Sequence, residues 1–571
     1  MQIIKYVRSL LLFLLPLSAF AQSSYIQRGT KEEILLDRLE IKSRNTNLNF
    51  SNTKPYNRRL FTREVEMLDS LQQAGDAAVS NLTEIDKYNM QRFLMNNSEW
   101  STPREAYISE KPILKEFYKT RGNLYEVNTK DFFLAVNPVI QYQYINEKDN
   151  PQRLFYNSRG FSVRGLISRK IGFDIYVTDN QERDPLYVQQ RINDPRYPAV
   201  PGARFFKSFK APGGVDYFDN RASVSFNASK YIDIQLGYDK NFIGDGFRSL
   251  MLSDFSGNTM FLKLNTRIWK FNYQNLFMEL IPQGRRAGGS SVLSRKYFRM
   301  NYLTINATPW LNLGVFDAVM FGRKDHFDFQ YLIPVLFLRP AESDIGSGDN
   351  ALVGLTAKAN INRKFQLYSQ LMLDEFVFRE LKANTGSWRN KFGYQFGIKY
   401  PDAFKINNLD LQVETNRVRP FTYSHFDSVA EYSHYNQPFA HPLGANFQEY
   451  IGIVKYQPLR KVYLQAKAIY YRQGLDTAGR SLGSNPLRSY NSRPINPATG
   501  QLKDFGYFVG EGNTVKSVNV NLLGSYELKE NMFIDVNLQR RTYNREIEGK
   551  QKTTVVSLGF RWNMVRRDFD F

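Results

Sequence analysis

The stretch with the most capacity for chemistry runs Asp239-Lys240-Asn241-Phe242-Ile243-Gly244-Asp245-Gly246-Phe247-Arg248 and continues to Ser253-Asp254. Carboxylates, an amide and a guanidinium set among glycines suit a polyhydroxylated or anionic ligand. Arg248 carries the planar fork that binds a uronate carboxylate through two hydrogen bonds. It could equally pair with Asp245 or Asp254 and only fix the loop, and spacing leaves both open. Gly244-x-Gly246 lacks a third glycine and a following helix, so it is no nucleotide fingerprint. A second cluster runs Tyr331-Leu332-Ile333-Pro334, Arg339-Pro340 and Gly346-Ser347-Gly348-Asp349-Asn350, and Asp374-Glu375 forms an acidic pair. The candidate ligand-binding residues are therefore Asn241, Asp245, Arg248, Ser253, Asp254, Asp349, Asn350 and Asp374.

Catalytic patterns are weaker. A glycosidase would need a second carboxylate across a cleft from Asp374-Glu375, and no nucleophile–histidine–acid triad is recognisable. His425, His434 and His441 lie in one stretch, a spacing that could hold a metal or nothing. The chain has no cysteine, which excludes disulfide scaffolds, thiolate metal sites and a lipoprotein anchor. The expectation is a protein that is not an enzyme, with no catalytic residues, no metal and no cofactor. Tyr423, Tyr432, Tyr435 and Tyr490 offer rings that could stack on sugars, or serve as loop anchors and girdle residues.

The elements that must position these residues change character along the chain. From Ser23 to about Lys130 the pattern is helical or irregular: Thr62 can cap a helix carrying Val65, Leu68 and Leu71. Ile85, Tyr88, Phe93 and Leu94 share a helical face, and Thr102-Pro103-Arg104-Glu105 reads as a capping box. From about Asp131 the period becomes two. Ile232, Ile234, Leu236 and Tyr238 oppose Asp233, Gln235, Gly237 and Asp239. Phe392 to Tyr400 and Val556 to Met564 alternate in the same way. About eighteen such segments follow, the first near residue 132 and the last near 552, with those near 153, 296 and 409 alternating imperfectly. Their links sort by parity. Those near 169, 229, 269, 309, 362, 401–408, 458–461 and 529–531 are short, and the intervening ones are mostly long.

Short turns alternating with long loops, and one apolar face per strand, predict an all-β membrane barrel of about 18 antiparallel transmembrane strands with an N-terminal short-helix plug. A soluble sandwich has no reason to sort its loops, and lipid demands a closed sheet. Phe569 and Phe571 give an aromatic ending typical of such barrels. Their parity is opposite to that of Val556 to Met564, so a bulge or strand end must lie near Val565 to Arg567.

Lys5 and Arg8, the apolar run Leu10 to Leu17 and Ala19-Phe20-Ala21 form a signal peptide, predicting cleavage near Ala21 and export to the cell outer membrane. The expected divisions are 1–21 leader, 22–130 helical periplasmic or plug region, and 131–571 barrel. The 571-residue chain carries a formal charge of +21, or +19 without the leader's Lys5 and Arg8. Export makes nucleic acid an unsuitable counter-charge and leaves acidic surface polysaccharide, lipopolysaccharide or outer-membrane lipid. Inward positions such as Lys263, Lys358, Lys399, Lys467 and Arg561 would place part of this charge in the lumen.

The segments Asn241 to Asp254, Trp269-Lys270-Phe271-Asn272-Tyr273-Gln274-Asn275 and Gly346 to Leu355 resemble the capsule-assembly Wzi family, in particular its gliding-motility RemB branch of Bacteroidetes. The resemblance spans about residues 219 to 375 and is looser elsewhere. It implies an eighteen-stranded outer-membrane barrel with periplasmic plugging helices, and a surface lectin that attaches acidic capsular polysaccharide. The expected function is non-catalytic attachment of surface polysaccharide, or gliding motility with motility or adhesin partners. A passive or gated porin and an outer-membrane hydrolase are the alternatives.

Overall fold

The computed structural model describes residues 24–571 apart from 211, 285–291, 324–325, 335–336, 347 and 478. The predicted leader lies outside the described residues. Eighteen antiparallel strands close into one barrel. They are β1 Phe132–Glu147, β2 Leu154–Ile167, β3 Ile171–Arg183, β4 Gly214–Ser229, β5 Ile232–Asp239 and β6 Thr259–Ile268. There follow β7 Phe271–Leu280, β8 Lys296–Thr308, β9 Leu311–Phe321, β10 Asn350–Ile361, β11 Phe365–Glu375 and β12 Lys391–Tyr400. The last six are β13 Leu409–Val418, β14 Phe447–Leu459, β15 Val462–Leu475, β16 Asn513–Lys529, β17 Met532–Arg545 and β18 Gly549–Trp562. Each pairs with its neighbour in sequence, and β18 closes on β1 with Trp562 opposite Ile140. The three imperfectly alternating segments are strands β2, β8 and β13.

Alternation decides which face meets lipid. Leu236, Phe396 and Leu558 point outward and are 50%, 56% and 57% exposed, whereas Gln235, Gln395 and Ser557 beside them are buried. Lys263, Lys358, Lys399 and Lys467 are buried in the lumen as their parity predicts. Among the described residues no helix is long and apolar enough to cross a membrane, so the strands make the crossing. Outer-membrane barrels carry short turns on the periplasmic side and long loops outside, and the two ends are called inner and outer accordingly.

Three helices occupy the inner mouth: α1 Lys31–Ser43, α2 Arg58–Gln73 and α3 Glu84–Asn96. Leu35, Leu39, Val65, Leu68, Met90, Phe93 and Leu94 form their shared core. Thr83 and Asp86 make a reciprocal capping box on α3. Two expected caps differ. Asn57 caps α2 one turn before Thr62, which instead donates to the Arg58 carbonyl inside the helix. Thr102-Pro103 opens only a single 3-10 turn, Glu105–Tyr107, without a side-chain cap.

The plug is pinned to the wall by ions. Arg38 of α1 bonds Asp86 at 2.7 Å, Asp402 at 2.9 Å and also Asp410, while Lys42 bonds Asp86 at 2.7 Å. Lys31 reaches Glu527 at 2.7 Å and Glu530 at 2.6 Å at the end of β16. Burial alone would raise the Asp86 carboxyl, but Arg38, and then Lys42, outweigh it and hold the group well below the usual carboxylate range.

Candidate functional site

The long outer links do not all stand in solvent. Residues 240–258, between β5 and β6, fold down into the lumen, where Phe242 and Ile243 pair antiparallel with Lys54 and Thr53 of the plug. Leu250, Met251 and Leu252 sit against inward-facing Phe298, Met300, Phe316 and Met320, the apolar sector of the lumen. This explains three consecutive apolar residues inside an otherwise polar loop. Residues 419–446 then close over them: Tyr423 and Tyr432 donate to the carbonyls of Leu250 and Met251, at 2.7 and 2.5 Å. Barrel, inward loop and cover form one packed stack.

All eight candidate residues are committed to partners within the protein, five of them inside this stack. Asn241 accepts from Lys263 at 3.2 Å, and Asp245 bonds Lys358 at 3.0 Å. Arg248 pairs with neither Asp245 nor Asp254; it reaches Asp570 at 2.9 Å and Glu449 at 3.5 Å. Ser253 donates to the Ala440 carbonyl, and Asp254 bonds Arg28 of the plug at 2.7 Å. The other three lie apart, at the outer ends of strands. Asp349 holds Arg323 at 2.7 Å and Tyr331 at 2.7 Å, Asn350 donates to Ala430 at 3.0 Å, and Asp374 accepts from the Tyr423 amide at 2.9 Å. The three histidines point to separate partners: His441 to Glu449 at 2.8 Å, His434 to the Ile281 amide at 3.1 Å, and His425 against Phe426. Among the described residues no cluster of ligands could hold a metal ion.

The residues after β18 explain the parity reversal. The strand ends at Trp562, Asn563 adopts the left-handed conformation (φ 52°), and residues 564–571 turn into the lumen. Asp568 and Asp570 bond Lys467 at 2.9 and 2.7 Å. The Phe569 carbonyl accepts from Tyr187 at 2.5 Å and Gln539 at 3.1 Å, and Phe571 meets Phe255 edge-on at 6.0 Å. The aromatic ending is thus internal packing and not part of the last strand. A cavity of about 660 Å³ remains between plug, tail and wall, lined by Arg28, Lys240, Arg248, Asp254 and Lys455 among others.

The outer surface offers a different cluster. Trp388 (link 376–390), Phe426 (cover 419–446) and Tyr490 (link 476–512) converge: Trp388 and Tyr490 lie 4.6 Å apart, and Phe426 and Tyr490 6.3 Å apart. Arg493 lies 3.9 Å over the Trp388 ring and Lys391 4.3 Å from Tyr490. Asp504 accepts from the Trp388 indole at 2.8 Å. Phe426 is 48% exposed and Arg389 is exposed beside Trp388.

The three links are knotted by bonds to backbone carbonyls. Arg419 donates to the carbonyls of Asn390, Ser387 and Tyr507, at 2.7, 3.2 and 3.4 Å. Gly483 (φ 81°) accepts from the Phe421 amide, and a Cβ there would overlap the Phe421 nitrogen. Lys391 and Arg493 are buried and hold Glu375 and Asp504, at 3.0 and 3.4 Å, so they brace Trp388 and Tyr490, which are half-buried. The exposed Phe426 ring can stack on a pyranose, and the exposed Arg389 beside Trp388 can pair with an acid group. Tyr490 belongs to this cluster. Tyr423, Tyr432 and Tyr435 are buried as anchors. Trp388 and Phe426 were not singled out in the sequence; a tryptophan in the polar stretch Gly386-Ser387-Trp388-Arg389-Asn390 was the available signal.

Neither a family model nor a curated protein matches the chain in sequence. In structure it is similar to Wzi of Escherichia coli, an outer membrane protein involved in group 1 capsule assembly and described as a carbohydrate binding β-barrel. The TM-score is 0.53 at 12% identity, over 96% of this chain and 100% of that one. It also matches OprD of Pseudomonas aeruginosa, with a TM-score of 0.41 at 10% identity, over 75% of this chain and 94% of that one. At such identities the likeness is one of fold.

Proposed function

We propose that this chain is an outer-membrane barrel that holds surface polysaccharide at its outer mouth without catalysis, on the cluster of Trp388, Phe426 and Tyr490. The observation that carries the reading is the convergence of these rings, braced by the buried Lys391 and Arg493 and flanked by the exposed Arg389, on three links tied together by Arg419. The carbohydrate-binding Wzi barrel supports it at the level of fold. The +21 charge favours an acidic glycan or lipopolysaccharide. Asn241, Asp245, Arg248, Ser253, Asp254, Asn350 and Asp374 then serve by holding the inward loop and its cover under the glycan, and Asp349 by holding Arg323 and Tyr331 of the neighbouring outer link. A lumen filled from both ends argues against a permanently open porin.

Binding of purified protein to a polyuronate, followed calorimetrically, tests the reading. Trp388→Ala is expected to weaken it about tenfold or more, which corresponds to about 1.4 kcal/mol. Equal binding by wild type and variant would remove the cluster from the site. A deletion strain scored for capsule retention and for spreading on agar separates attachment from gliding; a strain normal in both would count against either role.

A further inference from the structure

Between the plug and β1 the chain makes a hairpin, bridged at Ile108–Thr120 and Ile113–Phe117. It then adds a short strand, Tyr125–Asn128, to β1 below the point where β18 stops. Parity shows on which side this hairpin lies. Val556 and Leu558 of β18 face lipid, 49% and 57% exposed, and Trp562 shares their parity. Tyr118 stacks on Trp562, with centroids 6.4 Å apart and planes 6° from parallel. Tyr125 pairs with Val136, which shares the parity of lipid-facing Tyr142 and Tyr144, and Phe117 lies 6.0 Å from Tyr125. The hairpin therefore packs on the outside of the wall, at the inner rim, in continuity with the lipid-facing belt.

Its free face is amphipathic. Ile108, Ile113 and Leu114 are 59%, 55% and 80% exposed. Lys119 and Arg121 are satisfied by Glu116 and Glu110, at 2.8 and 2.9 Å. Lys111 and Lys115, flanking the apolar tip, make no ion pair among the described residues. We propose that residues 108–120 are an interfacial anchor: Ile113 and Leu114 enter the acyl boundary of the inner phospholipid leaflet, and Lys111 and Lys115 meet its phosphate groups. This rests on the barrel spanning a bilayer.

The absence of cysteine makes a single introduced thiol clean. Nitroxide labels at Leu114→Cys, at Leu558→Cys in the lipid belt and at Glu84→Cys on the plug, whose side chain is 81% exposed, are compared in full-length protein in vesicles of phosphatidylethanolamine and phosphatidylglycerol. The label at 114 is expected to follow 558, severalfold more accessible to oxygen and less accessible to a nickel chelate than the label at 84. A label at 114 that behaves like 84 while 558 stays lipid-shielded overturns the anchor alone. A water-accessible 558 overturns the membrane barrel with it. Lys111→Glu with Lys115→Glu is expected to move the 114 label toward water in these vesicles, and an unchanged label would overturn the phosphate contacts.

Discussion

Glu431 lies in the cover loop, buried, with its carboxyl pushed up to about 8 by desolvation, which Lys296 only partly offsets. A carboxyl raised in the folded state stabilises the loop in full below its ordinary value of about 4.3. That contribution is lost as pH rises through the folded value. The cover should therefore loosen between about pH 4.3 and pH 8, and Glu431→Gln should abolish the dependence, measured by amide exchange of residues 419–446 across that range. At this scale the sequence was informative about polarity and less so about placement. The eight candidates are polar whether they face solvent or fill a lumen. Arg248 was recognisable as a fork, but its partner Asp570 lies at a sequence distance that no local pattern reports. Inward lysines were legible because strand parity alone assigns them a side.

Among elements, the plug depends on a few ion pairs. Asp86 is held below the ordinary carboxylate range, so its contribution is present in full above about pH 3.9 and is lost as pH falls through the depressed value. Against the effect of burial, Asp402 of the inner turn 401–408 is held low by the same Arg38 and Lys42, so acidification below about pH 4 should loosen α1 from both α3 and the turn while the strands persist. Exchange protection of 31–43 and 84–96 against that of β15 to β17 measures this. Arg38→Met, which leaves Asp410 without its cation and Lys42 alone against Asp86 and Asp402, should cost about 3–5 kcal/mol and lower the same protection at neutral pH. Strands were legible even where weak, since lipid on one face and ion pairs on the other impose a period of two. Helix caps were less so: Asn57 and Thr62 are both good N-caps, and only tertiary packing decides which begins α2. Thr102-Pro103 has the local signature, but the chain there must leave the plug for the rim and makes one turn only.

For the whole molecule, the inner helices, the inward loop 240–258 and the tail meet inside one closed sheet. The tail ties Arg248 of the inward loop to Lys467 of the wall through Asp570. Full-length protein in planar bilayers is expected to be non-conducting, and deletion of residues 565–571 to produce flickering conductance. Large stable pores from the intact chain would count against the plugged reading and favour a porin. Barrel closure and plugging were legible from link parity and from the helical segment before Asp131. The threading of the tail was visible only as a reversed parity, because a departing strand and a bulge write the same pattern. The tail's position also governs how the protein is handled. A tag joined after Phe571 must either share the lumen with Tyr187 and Gln539 or draw the tail out of it, and a purified tagged protein would then report an unfastened state. The hairpin 546–548, where Ile547 is 74% exposed, is the safer place for an epitope.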